Sequence, residues 1–497
     1  MSAALALLDA LSAALLLAML LVALANLASA PRLHRVGKPR ATPLVSVLVP
    51  ARNEAANLRA HLPLLLASDY PSLEVLVLDD KSEDDTAAVV EAFAHVSPGR
   101  LRLVRGGALA AGWLGKSWAC AQLAREARGD VLVFCDADVA AGPRAVSRTV
   151  ALLERHAAGA LTAIPRPRLE SVAEAAVIPI IAQLPVAATL PLALVPRTAS
   201  PGLSMVNGQW LALTREAYTR VGGHEGVRGA VLEDVLLGRA VKRAGLRLVA
   251  CAAPHDLSVK MYDGWDEVRA GFRKNVYALL GARPLPFVTG LCLFLLTAVY
   301  PFLAAARGTR VGLLALGLLA ALRIAAAALF RQGWRTVLLH PLGALLALRI
   351  EAESFATRGR VQWRGRWVGA LDGSVGDDGW GHDESTSTKG PACAMGWGGM
   401  MSWGGTMGSA CTVGSAWHDG AGIHDGSGIH DGSGIHDGLG DDGLGDDGLG
   451  DDGLKTRRWN GTKSAFADCA SGDVRYRKAA ASRDFRTPAH AHPKTSS

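Results

Sequence analysis

The acidic residues at the end of one apolar run have the type and spacing that phosphate chemistry requires. The run DVLVFCDADV ends in Asp136 and Asp138, which are separated by one residue. On an extended strand that spacing puts both carboxylates on one face. Oxygen ligands of this kind bind Mg²⁺ or Mn²⁺ together with a diphosphate, and the cation offsets charge on a phosphate leaving group. We therefore predict a divalent-metal site at Asp136 and Asp138.

A second acidic pair, Asp79 and Asp80, ends the apolar run LEVLVLDD. A strand-end aspartate often caps the next helix, and this is the alternative explanation for Asp80. However, the residues that follow, SEDDT, add more polar groups than one cap needs. We favour a role for Asp80 in substrate binding.

Two further candidates lie where helices are predicted to begin. Glu233 and Asp234 open an amphipathic helix in GAVLEDVLLGRAVKRAG. Acidic residues there suit the helix dipole, but a carboxylate could also deprotonate an acceptor hydroxyl, the role we favour for Asp234. Lys116, in GWLGKSWA, could bind phosphate at a helix N-terminus. It lacks the P-loop spacing, and an ordinary solvated lysine is nearly as good an explanation.

Residues 44–280 predict an α/β domain that would position these side chains. Apolar runs predict strands at 44–50, 73–80, 100–106 and 130–138, and helical patterns predict helices at 53–67, 84–96 and 115–127. Asn53 is a plausible N-cap of the first helix. Strands that alternate with helices predict a mainly parallel sheet covered on both faces. Because ligands bind beyond the carboxyl ends of such strands, the acidic residues should converge on one edge.

Apolar segments on both sides of this domain predict a membrane protein. Residues 3–30 are long enough to span a bilayer. Basic residues follow this segment instead of preceding it, which favours an anchor over a signal peptide and predicts a cytoplasmic catalytic domain. Segments 285–306 and 311–330 can each span, whereas 336–348 is predicted to be interfacial or re-entrant. We predict a multi-pass protein of the cell membrane.

Charge and cysteine content narrow the class of partner. The 497-residue chain has a net charge of +7, and its first 370 residues carry about +14. This surplus suits phosphate-bearing substrates or an anionic membrane surface. The sequence has no basic stripe with interleaved aromatic residues, so we predict no nucleic-acid partner. Its seven cysteines form no CxxC motif, which favours a reducing compartment.

The composition changes beyond about residue 371, where glycine and aspartate dominate and GIHDGS and GLGDD recur. Such a tract cannot bury enough apolar surface to offset chain entropy, so we predict a disordered tail over 371–497. A loose metal site on its repeated histidines is a less favoured alternative. A frameshifted reading frame is another possible origin.

Four motifs taken together resemble an inverting family 2 glycosyltransferase of the GT-A type. They are VSVLVPARNEAANL, VLVLDDKSEDDT, VFCDAD and LEDVLLGRAVKRAG, and the match covers about residues 44–280. The resemblance implies a nucleotide-sugar donor, a metal at Asp136 and Asp138, and Asp234 as general base. The resemblance implies that the nucleoside lies against Pro50, Arg52, Glu54 and Asp80. Together with Asp79, Lys116, Asp136 and Glu233, these are the predicted substrate-binding residues.

The flanking apolar segments and GQWLALTREAYTRVGGHE resemble a membrane-bound branch of that family. The branch includes ceramide glucosyltransferases and the hopanoid- and carotenoid-associated glycosyltransferases, so a lipid or isoprenoid-type acceptor is implied. VQWRGRW is similar to its closing element and implies substrate contacts by Trp363, Arg364 and Arg366. The alternatives are a processive polysaccharide synthase, a polyprenyl-phosphate sugar transferase, a nucleotidyltransferase and a catalytically silent scaffold.

The predicted organisation has five parts. They are an anchor (1–30), a GT-A domain (44–281), membrane segments (283–350), a basic juxtamembrane element (351–370) and the tail (371–497). Within the second part, 260–281 is predicted to be amphipathic. It could rest on the membrane or pack against the domain.

Overall fold

The computed structural model describes residues 3–358, 361–363 and 366–368. The strands are β1 (Val45–Ala51), β2 (Leu73–Asp79), β3 (Leu101–Arg105), β4 (Val131–Cys135), β5 (Val139–Ala141), β6 (Ala160–Ile164), β7 (Arg166–Pro167), β8 (Trp210–Thr214), β9 (Leu248–Ala252), β10 (Leu257–Val259), β11 (Val361–Trp363) and β12 (Arg366–Val368). The helices are α1 (Ala3–Ser29), α2 (Ala55–Leu66), α3 (Thr86–Val96), α4 (Gly115–Glu126), α5 (Ala145–His156), α6 (Val172–Ile178), α7 (Leu184–Ala188), α8 (Arg215–Arg220), α9 (Glu233–Arg243), α10 (Gly264–Leu279), α11 (Pro284–Phe294), α12 (Tyr300–Ala306), α13 (Arg310–Phe330), α14 (Arg335–Leu338) and α15 (His340–Thr357).

Seven strands form one sheet in the order β3-β2-β1-β4-β8-β6-β9. Neighbours are parallel except that β8 runs antiparallel to β4 and β6. The predicted mainly parallel sheet is therefore confirmed, together with the four predicted strands, now β1 to β4. A smaller sheet, in the order β5-β10-β7, follows β4.

The strand register brings the candidate residues to one edge of the large sheet. Ala51 at the end of β1 pairs with Asp79 at the end of β2. Cys135 at the end of β4 pairs with Trp210 at the start of β8. Because β8 runs in the opposite direction, the loop before it lies at the same edge as the loops that follow β1, β2 and β4.

The core of the sheet continues into the apolar helices. Alternate residues of a strand point to opposite faces, so Val47 and Leu48 of β1 belong to different hydrophobic clusters. The cluster of Leu48 also contains Leu16 of α1 and Leu322 of α13. These helices are thus packed parts of the folded body.

Three helical segments are long and apolar enough to cross a membrane: Ala3–Ser29, Pro284–Ala306 and Arg310–Phe330. They agree with the three predicted spans. The second contains a π-helical turn at Leu295–Val299, between α11 and α12. The short segment predicted at 336–348 falls on α14 and the start of α15, and α15 packs against α10 and α6.

A buried carboxylate fixes the relative direction of the apolar helices. Asp9 of α1 accepts hydrogen bonds from the Tyr300 hydroxyl (2.7 Å) and the Thr309 hydroxyl (2.9 Å), and it pairs with Arg307. Thr309 directly precedes α13, so the beginnings of α1 and α13 lie together. The two helices therefore run side by side in the same direction.

Residues 172–188, for which no element was predicted, form an apolar helical segment comprising α6, a π-helical turn and α7. Its end is tied to α1 by Asn26, which is fully buried. The Asn26 amide donates to the carbonyls of Ala187 and Leu190 (both 2.9 Å), and its carbonyl accepts from the Leu192 N–H (2.7 Å). This segment connects the membrane helices to the sheet.

Residues at the end of the described chain give two further outcomes. In α10, Val268, Phe272 and Val276 are buried, and α10 packs against α15 and α6. The apolar face of α10 therefore packs against the protein, which was one of the two alternatives for 260–281.

β11 and β12 form an antiparallel pair in which Trp363 is opposite Arg366. The side chains of those two residues, Arg364 and the predicted tail lie outside the described residues.

Candidate active site

The loops after β1 and β2 brace each other. Asn53 has a positive φ of 55°. Its side-chain amide oxygen, Oδ1, accepts a hydrogen bond from the Glu83 N–H (2.8 Å), and its backbone N–H donates to the Ser82 hydroxyl (2.9 Å). The expected N-cap role of Asn53 is therefore wrong, because the side chain bonds across to the neighbouring loop. Glu54 occupies the cap position, without a side-chain cap bond.

The polar run after Asp80 is largely explained by these loop contacts. Asp84 accepts from the Ala55 N–H (3.1 Å) and from both the N–H and the hydroxyl of Thr86. Asp79 accepts from the Ser82 N–H (3.0 Å) and pairs with Arg105 (3.4 Å). These groups shape the edge of the site through contacts within the protein.

Asp80 and Glu54 remain at the predicted nucleoside side of the site. Both are buried, with exposed fractions of 7 % and 8 %. Glu54 accepts from the Asn57 amide (2.6 Å), and its N–H donates to the Thr86 hydroxyl (2.9 Å). The Asp80 N–H donates to the carbonyl of Ala51, which joins the ends of β2 and β1.

Asp136 and Asp138 lie in the turn between β4 and β5. The predicted placement of both carboxylates on one face of a strand is therefore wrong, because β4 ends at Cys135, before either aspartate. Asp136 pairs with Lys116 at 2.7 Å. The Asp138 Oδ1 atom is buried and has no hydrogen-bond partner among the described residues. Burial, followed by the neighbouring Asp136 and Glu54, raises the pKa of Asp138 to about 8.

Glu233 and Asp234 form the first turn of α9, as predicted. Burial raises the pKa of Asp234, and it raises that of Glu233 to about 7. Gly208, in the loop before β8, lies directly against Asp234, and its N–H donates a hydrogen bond to that carboxylate. A Cβ atom on Gly208 would lie 2.9 Å from Asp234 Oδ2. The backbone of this loop thus fixes where Asp234 can lie.

Lys116 connects the two acidic groups. Its ammonium lies 2.7 Å from Asp136 Oδ1 and 3.7 Å from Glu233 Oε1. Burial alone would lower the pKa of Lys116, but these carboxylates outweigh burial and raise it. Lys116 is therefore an ion-paired cation between the turn after β4 and the start of α9, with a side chain that is still 43 % exposed.

His224 is a residue of the site that the sequence analysis did not single out. It is buried, and its backbone N–H donates to the Tyr218 hydroxyl (3.1 Å). That hydroxyl lies 2.9 Å from Nδ1, so Nε2 is the ring nitrogen that Tyr218 does not engage. Burial lowers the pKa of His224 to about 3, which keeps the imidazole neutral. The sequence signal for it was the pair of glycines in the motif VGGHE. In the structure Gly223 packs against Tyr218, and a Cβ atom at that position would lie 2.6 Å from the ring.

These groups line one small cavity that opens to solvent and has a volume of about 10 Å³. It brings together the predicted Pro50, Lys116, Asp136, Glu233 and Asp234. The other lining residues are Cys120, Phe134, Cys135, Gly208, Leu211 and His224. Arg52, Glu54, Asp79, Asp80 and Asp138 do not line it. Burial raises the pKa of both cysteine thiols, so they remain protonated.

The donor set of the acidic turn fits a hard divalent cation. Asp136 and Asp138 supply carboxylate oxygens, and Asp138 Oδ1 is a buried oxygen without a donor among the described residues. Among all the residues that the structure describes, no group of three or more His, Cys, Asp or Glu side chains is arranged to hold a metal. Any cation here would need further oxygens from substrate or water.

The sheet topology fits a glycosyltransferase of the GT-A type, the class that the motifs predicted. Residues 11–374 match the family described as glycosyl transferase family 21, and the chain belongs to that family. The predicted family resemblance and fold class are thus confirmed.

Two curated relatives show how far the similarity extends. A beta-monoglucosyldiacylglycerol synthase of Synechocystis is 37 % identical over 98 residues, which are 19 % of this chain and 20 % of that protein. The 4,4'-diaponeurosporenoate glycosyltransferase of Staphylococcus haemolyticus is 26 % identical over 240 residues, which are 47 % of this chain and 61 % of the relative. The chain therefore spans between a fifth and about three fifths of these relatives.

Solved structures with some likeness to the chain include two from other organisms. The mannosyltransferase PcManGT of Pyrobaculum calidifontis, in complex with GDP-Man and Mn²⁺, is 24 % identical with a TM-score of 0.43, covering 70 % of this chain and 97 % of that one. A glucosyl-3-phosphoglycerate synthase of Mycobacterium tuberculosis, in complex with Mn²⁺, UDP and glucosyl-3-phosphoglycerate, is 24 % identical with a TM-score of 0.32, covering 48 % of this chain and 79 % of that one.

Proposed function

We propose that the protein is an inverting glycosyltransferase that moves one sugar from a nucleotide-sugar donor to a hydroxyl of a lipid-like acceptor. One observation carries this proposal: Asp234 and Asp136 line one cavity, and Lys116 joins Asp136 to Glu233, the residue beside Asp234. The core that supports the cavity extends into helices able to cross a membrane. A water-soluble donor and an apolar acceptor would meet at such a place.

In the proposed reaction, Asp234 takes the proton from the acceptor hydroxyl. The acceptor oxygen forms a bond to the anomeric carbon while the bond from that carbon to the diphosphate oxygen breaks. The nucleoside diphosphate leaves with the bonding electrons, so no enzyme nucleophile is required. The raised pKa of Asp234 strengthens it as a base.

Asp136 and Asp138 are the proposed holders of Mg²⁺ or Mn²⁺, which would supply charge stabilisation for the leaving diphosphate. Lys116 supplies a second positive charge beside Asp136. Pro50, Arg52, Glu54 and Asp80 are proposed to contact the nucleoside. Asp79, Glu233, Trp363, Arg364 and Arg366 complete the proposed substrate-binding set.

We further propose that the protein is multi-pass, with its catalytic domain in the cytoplasm. α1 and α13 both end next to the sheet domain: Arg32 pairs with Ala252 at the end of β9, and Arg331 contacts His255 in the loop that follows. Arg35 also follows α1. Basic residues at this end favour the cytoplasmic side. The five-part domain division set out above also stands as a proposal.

The test is nucleoside diphosphate release by the full chain in membranes, with several nucleotide sugars, Mg²⁺ or Mn²⁺ and lipid extract. Asp138→Asn and Asp234→Asn should each abolish donor-specific release. Asp263→Asn is the control, because the Asp263 side chain is 87 % exposed. A wild type that neither releases diphosphate nor binds donor would contradict the catalytic proposal and favour a scaffold. A ladder of products would favour a processive synthase.

A further inference from the structure

A group of cationic and imidazole side chains lies where the apolar helices meet the sheet domain. α1 and α13 run in the same direction, and each is followed by basic residues. His34, after α1, lies against His255, with ring centroids 4.0 Å apart. Arg331, after α13, has its Nη1 atom 3.2 Å from the ring nitrogens of His255. Three distant parts of the chain thus converge at this point.

The charge of this group is unbalanced. Burial lowers the pKa of His34, and the neighbouring His255, Arg32 and Arg35 lower it further, whereas Asp256 opposes them. Burial and Arg331 likewise lower the pKa of His255. Asp256 is the carboxylate that faces both rings; its Oδ1 atom pairs with Arg148, and its Oδ2 atom is buried without a hydrogen-bond partner among the described residues. Three arginines, Arg32, Arg35 and Arg331, therefore lie near one carboxylate that already pairs with a fourth arginine.

Two buried nitrogens of the group have no hydrogen-bond partner among the described residues. They are Nδ1 of His34 and Nε of Arg32. Buried polar atoms are normally paired, so unpaired nitrogens in a positive environment indicate an anionic oxygen ligand. This observation is independent of the charge count.

The group lies at the level where a bilayer surface is expected. Phe330 ends an apolar helix of 21 residues, and Arg331 is next along the chain. Trp334 and Leu338 follow, with exposed fractions of 70 % and 67 %. Exposed tryptophan beside arginine is typical of the headgroup region, and basic pockets at helix ends bind anionic headgroups.

We propose that these side chains bind the phosphate of an anionic phospholipid headgroup. We name them the membrane-edge cluster, consisting of Arg32, His34, Arg35, His255 and Arg331. Its ligand is a structural lipid, and the proposal does not depend on the transfer reaction.

The test compares phosphatidylglycerol with phosphatidylcholine. The full chain is purified in a neutral detergent, each lipid is titrated in mixed micelles, and bound lipid is measured by native mass spectrometry together with the melting temperature. Phosphatidylglycerol should be retained and should raise the melting temperature. Removing both His34 and Arg331 by glutamine substitution should weaken its binding at least about fivefold, the effect of one cation near an anionic surface.

Arg310→Gln is the matched control, since Arg310 begins the same helix at the opposite end and is exposed. It should bind phosphatidylglycerol like the wild type. If the double variant does not fold, the exposed Arg35 offers a milder substitution, Arg35→Gln, which should weaken binding severalfold. Equal binding of both lipids, or unchanged binding in the folded variants, would overturn the proposal. A stabilisation reproduced by inorganic phosphate alone would overturn the lipid assignment.

Discussion

The space beside Asp234 is closed by the backbone of Gly208: a Cβ atom at that position would lie 2.9 Å from Oδ2 and 3.2 Å from Cγ of the aspartate. The residue proposed as base is therefore positioned by the loop before β8 as well as by its own helix. An added methyl group must push the carboxylate away from its present position.

Gly208→Ala should accordingly lower kcat by about 100-fold, the effect of a displacement near 1 Å in a reacting group. Donor affinity should hardly change, because the acidic turn is untouched. Diphosphate release and donor binding, measured on the same preparation, separate the two effects. Gly202→Ala is the control, because the nearest atom to its Cβ would be 3.6 Å away. A Gly208→Ala protein with normal kcat would show that Asp234 need not lie where it does.

The large sheet and most acidic candidates could be predicted because they depend on local patterns. Continuous runs such as VSVLVPA are buried on both faces in β1, and period two accounts for their alternation between two cores. Parallel strands then bring their carboxyl ends to one edge. Asp136 and Asp234 were found in this way, although the strand geometry proposed for Asp136 and Asp138 was wrong.

The contacts that complete the site could not be predicted in this way, because they are made between distant parts of the chain. Lys116 touches Asp136 and Glu233, which belong to two other elements. His224 depends on Tyr218, and that pairing exists only because two glycines, with positive φ at Gly222 and Gly223, turn the chain back. The segment 172–188 did carry a local signal, the capping box of Ser171 and Glu174 at its start, which was not used in the prediction.

His224 provides a prediction about hydrogen bonding in the cavity. Since Tyr218 contacts Nδ1, we predict that Nε2 of the neutral ring hydrogen-bonds a polar group of the substrate. Glutamine places an amide nitrogen close to the Nε2 position, whereas asparagine places it nearer Nδ1. His224→Gln should therefore retain most activity, and His224→Asn and His224→Phe should lose about tenfold in kcat/KM, the upper range for one neutral hydrogen bond.

The exposed His95 supplies the control, His95→Gln, which should leave kcat/KM unchanged. Melting temperatures of all four variants identify any that are merely unstable. A His224→Phe protein that folds and transfers sugar at the normal rate would remove His224 from the substrate contacts.

Asn26 predicts a stability effect that begins in a membrane helix. Its side chain satisfies three buried backbone groups, those of Ala187, Leu190 and Leu192. Asn26→Leu leaves them unpaired, and each such group costs about 1–3 kcal/mol. We expect the melting temperature in detergent to fall by several degrees. Ser29→Ala, on the same helix, should have little effect, because exposed Ser29 bonds only to the carbonyl of Ala25. Equal melting temperatures for wild type and Asn26→Leu would contradict the structural role.

Glu174 predicts how stability depends on pH. Burial alone would raise its pKa, but hydrogen bonds from the N–H groups of Glu170 and Gly264 and from Lys260 and Ser171 outweigh burial and lower it to about 2. Because the folded pKa lies below the unfolded value, the stabilisation is complete above about pH 5 and is lost as the pH falls towards 2. A shift of this size corresponds to about 3 kcal/mol.

Glu174→Gln should therefore lower the melting temperature most at pH 7, and its difference from wild type should shrink steadily between pH 5 and pH 3. Thermal unfolding followed by tryptophan fluorescence across this range is the measurement. Glu170→Gln is the matched control, because Glu170 contacts the same Lys260 but its side chain is 57 % exposed, so its effect should be small at every pH. A Glu174→Gln deficit that stays constant with pH would mean that lost packing, and not the carboxylate charge, is responsible.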